Sequence, residues 1–154
     1  MIRLLWNYIR MKRISTLFVF GLLFIVLATS GCQKIEGPGG AATIQGKLFV
    51  REYDSAGNLI KEYDAADMDV YIIYGNDPAE TYFHDDIATS YDGTFKFRFL
   101  EPGNYRVFFY EDATYQELIS NPNGPNQKAI IMDVAINDKK EVVDLGTMEV
   151  YERF

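Results

Sequence analysis

The sequence predicts an all-β protein, an antiparallel Greek-key sandwich of about seven strands that follows a short N-terminal signal helix. Three observations carry this expectation. Apolar and polar residues alternate with period two in a series of short runs. Turn signals rich in Gly, Pro, Asn and Asp break those runs at intervals of about eight to twelve residues. Aromatic residues make up 15% of the 154 residues, a composition that favours strands over helices. No heptad, internal repeat or long amphipathic helix competes with this pattern.

The elements follow in order. From Thr43, the run TIQGKLFV sets Ile44, Gly46, Leu48 and Val50 on one face, with Thr43, Gln45, Lys47 and Phe49 on the other. Asp54 to Asn58 is a turn, and Leu59 to Tyr63 is either a short edge segment or part of a long connection. Met68 to Tyr74 is a β-branched and aromatic core strand, stopped by Gly75-Asn76-Asp77-Pro78. Thr81 to Phe83 and Ile87 to Tyr91 are weaker strands, and Asp92-Gly93 is a turn. Phe95, Phe97 and Phe99 alternate with Thr94, Lys96 and Arg98, so all three rings are expected on one face. Glu101-Pro102-Gly103-Asn104 then leads into Tyr105 to Tyr110, with Tyr105, Val107 and Phe109 facing one way and Arg106, Phe108 and Tyr110 the other. Two strands joined by so short a loop are expected to pair antiparallel.

Glu111 to Gln127 is polar: Ala113 to Ile119 allows one helical turn, and Asn121 to Asn126 forbids regular structure. Ala129 to Ile136 points Ile130, Met132, Val134 and Ile136 inward. In the last strand, Val142 to Tyr151, the apolar parity changes between Leu145 and Met148, which predicts a bulge at Gly146. Gly37-Pro38-Gly39-Gly40 reads as a flexible tether. The expected organisation is therefore a leader at 1–31, a tether at 32–41 and one domain at 42–154.

The domain resembles the carboxypeptidase regulatory-like, or prealbumin-like, sandwich family. The likeness is carried by Ile44-Gln45-Gly46-Lys47-Leu48, by Asp69-Val70-Tyr71-Ile72, by Asp92-Gly93-Thr94-Phe95-Lys96-Phe97 with Leu100 to Val107, and by Asp144-Leu145-Gly146. The central block matches that family's succession of DG turn, strand, PG turn and strand. The long polar insertion at Glu111 to Gln127 departs from it.

The leader has its own signature. Lys12 and Arg13 precede an apolar run from Ile14 to Ala28, then Thr29, Ser30 and Gly31, then Cys32, the chain's only cysteine. The run is about fifteen residues, short of the roughly 20 that a spanning helix needs. Met11 to Cys32 resembles the signal peptide of a bacterial lipoprotein, departing from it at Thr29, where Leu is usual. The resemblance implies cleavage after Gly31, acylation of Cys32 and, because Gln33 rather than Asp follows, residence at the outer membrane. It also gives a use to a lone thiol that would otherwise be exported without a disulfide partner. Each buried CH₂ of an acyl chain contributes about 0.8 kcal/mol, so several chains hold a protein on a membrane almost permanently. Met1 to Arg10 precede an already complete signal, and the expected start of translation is Met11.

Charge narrows the partners. The chain has 15 Lys and Arg against 22 Asp and Glu. Four of the cations (Arg3, Arg10, Lys12, Arg13) and none of the anions lie in the leader, so the remainder carries a net charge of about −11. Such a surface repels phosphate backbones and argues against nucleic-acid binding.

Catalytic and metal chemistry finds little support. His84 is the only histidine, and with Asp85 or Asp86 it makes a poor metal site compared with an ordinary surface-loop residue. The acidic group Asp64, Asp67 and Asp69 lacks the spacing and glycine of a calcium loop. No serine or cysteine nucleophile has a credible base. Lys47 tempts an isopeptide reading, but it is expected to face outward and the last strand supplies no Asn. No metal and no cofactor is expected.

The remaining candidate is a ligand surface of Tyr110 and Tyr115 with Asn121, Asn123 and Asn126, where rings would stack on sugar and amides would bind hydroxyls. The expectation is a non-catalytic, lipid-anchored binding or assembly module with envelope proteins or glycans as partners. The alternative is a carbohydrate-binding accessory of a nutrient-uptake system. Its expected address is the bacterial envelope, on either face of the outer membrane.

Overall fold

The computed structural model describes residues Glu36 to Phe154. The leader, its cleavage point at Gly31 and the acylation expected at Cys32 lie outside the described residues.

The described chain is all-β: eight strands and one short helix. They are β1 (Pro38–Tyr53), β2 (Leu59–Asp64), β3 (Asp69–Tyr74), β4 (Asp85–Ala88), β5 (Thr94–Leu100), β6 (Gly103–Asp112), α1 (Tyr115–Ser120), β7 (Gln127–Ile136) and β8 (Val142–Arg153). Four strands form each of two sheets. In the first, β1 is central. Antiparallel β5 pairs with its first half and antiparallel β2 with its last residues, while β8 runs parallel along the opposite edge from Thr43 to Tyr53. The second sheet is antiparallel throughout, in the order β4-β3-β6-β7.

Period-two alternation fills the space between the sheets. Ile44, Leu48, Val50, Phe95 and Phe97 from the first sheet join one core with Val70, Ile72, Tyr105, Val107, Phe109, Val134 and Ile136 from the second. The inward parity read from the sequence holds for β6 and β7. The bulge expected in β8 is present: between the pairs Gln45–Asp144 and Lys47–Thr147, two residues of β8 oppose one of β1. Gly146 adopts φ +71°, open to glycine at little cost, and its N–H donates to Asp144 Oδ1 at 2.8 Å. This extra residue lets Val143 and Leu145 before it, and Met148 and Val150 after it, all reach the core.

Several expectations are corrected. The segment Gly37 to Gly40 is not a free tether, because β1 already begins at Pro38, paired with Leu100. Gly37 exchanges backbone groups with the domain: its carbonyl accepts from Glu101 N–H at 2.9 Å and its N–H donates to the Tyr105 hydroxyl at 3.1 Å. Gly40 lies so close to Leu100 that an added Cβ would sit 2.0 Å from that carbonyl oxygen. Backbone proximity, which glycine alone permits, fixes the segment that composition marks as flexible.

The two strands flanking Glu101-Pro102 do not pair with each other, since β5 belongs to the first sheet and β6 to the second. Phe99 marks the departure. Its φ of +62° breaks the alternation, so Leu100 takes the core position and the Phe99 ring stands 68% exposed. The chain then crosses between sheets as an arch. The fully buried Tyr105 braces that arch by donating its hydroxyl hydrogen to the Glu101 carbonyl at 2.5 Å.

The first sheet is not purely antiparallel, because the end strands β1 and β8 run side by side in the same direction. Thr81 to Phe83 forms no strand, and the weak strand predicted at Ile87 begins earlier, at Asp85. Leu59 to Asp64 resolves as an edge strand.

At its far end the sandwich is clasped by carboxylates. Glu111 and Asp112 of β6 accept the backbone N–H groups of Tyr151 and Arg153 on β8, at 3.2 and 3.1 Å.

Two substitutions test this account in chemical or thermal unfolding. Tyr105→Phe removes the hydroxyl bonded to Glu101 and Gly37 and is expected to cost about 1–2 kcal/mol. Gly40→Ala is expected to cost about 1–3 kcal/mol through overpacking, whereas a true tether residue would tolerate alanine without loss.

Candidate functional site

The outward face of the second sheet carries an aromatic group. Cross-strand register places Asp86, Tyr71, Phe108 and Ile131 in one row over β4, β3, β6 and β7. Tyr110, two residues beyond Phe108 on the same parity, lies alongside. Tyr71 is the hub: its ring stacks on Phe108 at 5.0 Å and meets Phe83 at 4.9 Å and Tyr110 edge-on at 5.8 Å. Phe108 and Tyr110 make a further edge contact at 5.8 Å. The offset and edge-to-face geometries suit the ring quadrupoles. Phe108 is thereby buried on the solvent face of a sheet, while Phe83, Tyr110 and Ile131 remain about half exposed.

The loop between β3 and β4 completes the patch. Arg106, outward on β6, donates to the carbonyls of Asp77 at 2.6 Å and Glu80 at 3.1 Å, pinning the loop on the sheet. His84 accepts the Tyr74 N–H on Nδ1 at 3.1 Å and stacks on the Tyr74 ring at 4.7 Å. These contacts hold Phe83 against Tyr71 and leave Tyr82 79% exposed beside it. Carboxylates rim the group. The Tyr71 hydroxyl reaches Asp69 at 3.5 Å, and burial, followed by the Asp69 charge, pushes the phenol above its ordinary value.

The ligand surface expected from sequence is not gathered in one place by these contacts. Tyr110 belongs to the aromatic face. Tyr115 opens α1, where its hydroxyl donates to the Phe154 carbonyl at 2.8 Å and the Arg153 guanidinium lies 6.0 Å from its ring centre. Asn121 closes α1, Asn123 is exposed in the following turn, and the Asn126 carbonyl accepts from Ala113 N–H at 2.8 Å. The polar insertion is an ordered structure, with a capping box between Thr114 and Glu117 at its helix start. Lys128 on β7 reaches Glu117 at 2.8 Å, and this ion pair with the Thr114 N–H holds the Glu117 carboxyl down at about 2.

The other chemical candidates disperse. Asp64 pairs with Lys47 at 2.7 Å, which faces outward, and Asp69 is engaged by Tyr71. Among the described residues no group of three His, Cys, Asp or Glu side chains converges to hold a metal. Sequence parity showed Phe108 and Tyr110 together on the outward face. It missed Tyr71 and Phe83, whose approach depends on strand register and on the Arg106 anchor.

No family model matches the chain, and neither does any curated protein. Solved structures similar to it include (S)-allantoin synthase, at 16% identity and TM-score 0.37, over 71% of this chain and 42% of that one. A Pseudomonas aeruginosa protein described as a candidate carbohydrate binding protein matches at 14% identity and TM-score 0.41, over 79% and 92% of the two chains. A 9R-lipoxygenase from Cyanothece matches at 14% identity and TM-score 0.37, over 79% of this chain and 18% of that one.

The Glu117 carboxyl supplies a test of the insertion. Its folded value lies below the unfolded one, so its contribution to holding α1 is present above the ordinary carboxylate range. That contribution is lost as pH falls toward about 2. Side-chain NMR titration is expected to place its midpoint near 2, and in Lys128→Met the midpoint moves up toward the ordinary value.

Proposed function

We propose that this chain is a non-catalytic binding and assembly module of the bacterial envelope. In this reading it is acylated at Cys32 after cleavage at Gly31 and held at the outer membrane. Its prealbumin-like, Greek-key sandwich presents the aromatic face of the second sheet to a partner. The observation that carries the reading is the outward group of Tyr71, Phe83, Phe108 and Tyr110. Water-facing rings gain nothing for the core, and this surface is apolar in an otherwise acidic chain. The rings are already immobilised by one another and by Arg106, so binding loses little side-chain entropy. The lipid supplies residence at the membrane, and the face supplies recognition.

A second reading, a carbohydrate-binding accessory of an uptake system, is favoured by the carboxylates at the rim. Asp69 and Asp86 flank exposed ring faces, and sugar recognition combines stacking on C–H faces with acceptors for hydroxyls.

Three measurements test these readings. Cys32→Ser is expected to prevent acylation and release the protein from membranes, and continued membrane retention would overturn the anchor. A photocrosslinker at Ile131 in intact cells is expected to capture an envelope protein, with none captured from Thr147 on the other sheet. Loss of capture in Phe83→Ala/Tyr110→Ala supports the face, while equal capture refutes it. If a glycan array instead yields a ligand whose binding the same pair of substitutions weakens by about tenfold or more, the carbohydrate reading replaces the protein one.

A further inference from the structure

The open edge of the first sheet is a second surface, independent of the aromatic face. On one flank of that sheet, β8 has its terminal N–H groups capped by Glu111 and Asp112. On the other, β5 pairs with β1 alone among the described residues. Beside it lies a hollow of about 490 Å³ lined by residues of both sheets, among them Ile87, Phe95, Lys96, Arg98 and Phe99. Inward, the hollow offers Ile87 and Ala88 beside the nearly buried Phe95, with Ser90 and Thr94 also in its wall. Outward, Lys96 and Arg98 are exposed, and neither makes an ion pair among the described residues. At the end of the strand stands Phe99, a bulky residue held at φ +62° with its ring in water. Such a conformation costs roughly 1–2 kcal/mol; the turn delivers Leu100 to the core, but glycine would make it at little cost, and the Phe99 ring itself joins no part of the core.

We propose that β5 accepts an extended segment of a partner protein as an added strand, and that this segment alternates apolar with acidic residues. The pleat dictates the pattern. A strand continuing the first sheet beyond β5 turns every second side chain into the hollow beside Phe95 and Ile87, and the intervening ones beside Lys96 and Arg98. Apolar chains fit the first set and carboxylates the second. The Phe99 ring caps the strand's end. A second copy of this chain is disfavoured at the same edge, because antiparallel self-pairing would bring Lys96 and Arg98 toward their own images. Cations at a free edge also deter aggregation, but that role does not account for a bulky exposed ring at a turn that glycine would make at less cost.

The test uses the full-length protein in detergent and a blocked peptide of the length of β5 that alternates Val and Glu. Controls are a shuffled peptide of the same composition and a Val–Lys version. The alternating Val–Glu peptide is expected to bind and to slow amide exchange at Phe95 to Phe99, with the controls weaker. Lys96→Glu/Arg98→Glu is expected to weaken it roughly tenfold and to shift preference to the Val–Lys peptide. Phe99→Gly is expected to raise the melting temperature while weakening binding, a combination that a purely structural phenylalanine would not give. Equal binding of the three peptides, or protection located away from β5, would overturn the proposal. Protection of β5 that grows with the protein's own concentration would assign the edge to self-association instead.

Discussion

The structure depends on one long strand. β1 is the only element of the first sheet bonded on both edges, and its sixteen residues are shared among three partners. Its parallel pairing with β8 joins the two ends of the described domain, so β1 and β8 find each other only across most of that domain. Arg51 ties the arrangement on the outer face, 2.9 Å from Glu62 of β2 and 3.1 Å from Glu149 of β8. These two exposed ion pairs add little energy and mainly agree with the register. The decisive terms are the buried Ile44, Leu48 and Val50, which a slip of one residue would turn to solvent.

The second sheet is built on this base and uses its two faces differently. Inward, β6 gives Tyr105, Val107 and Phe109 to the core. Outward, the same strand gives Arg106, Phe108 and Tyr110 to the loop anchor and the aromatic face. One strand therefore serves both the core and the aromatic face through the two-residue period of its side chains. Tyr105 serves both the core and the chain's crossing between the sheets. Buried among apolar residues, with its phenol pushed upward by that burial, it still satisfies its hydroxyl on the arch and on the start of β1. The chain is thus bonded to the core from Gly37 onward.

The two outward surfaces differ in the way they are held. The aromatic face is rigid because its rings lean on one another and on a loop fixed by Arg106. The β5 edge is open because β8 takes the other flank of β1 and, among the described residues, no further strand pairs with β5. Carboxylates protect one edge of the first sheet, and Lys96 and Arg98, which form no ion pair among the described residues, mark the other.

Local information determined much of this protein. The alternation in Ile44 to Val50, Tyr105 to Tyr110 and Ile130 to Ile136 reports which side chains face the core, because a strand's period is a property of the backbone. The parity change around Gly146 reported the bulge for the same reason. Pairing is a property of distant segments, and only the tertiary structure decided it. The short Glu101-Pro102 connection is compatible with a hairpin or an arch, and the positive φ at Phe99, with Tyr105 binding back to Glu101, selects the arch. Gly37 to Gly40 looks flexible because glycine lacks a side chain, yet that lack is what lets the backbone approach Leu100 and join the sheet. The aromatic face was half visible, as Phe108 and Tyr110 on one parity. Its other half, Tyr71 and Phe83, required a register between strands and a loop held by an arginine, neither of which a one-dimensional pattern encodes.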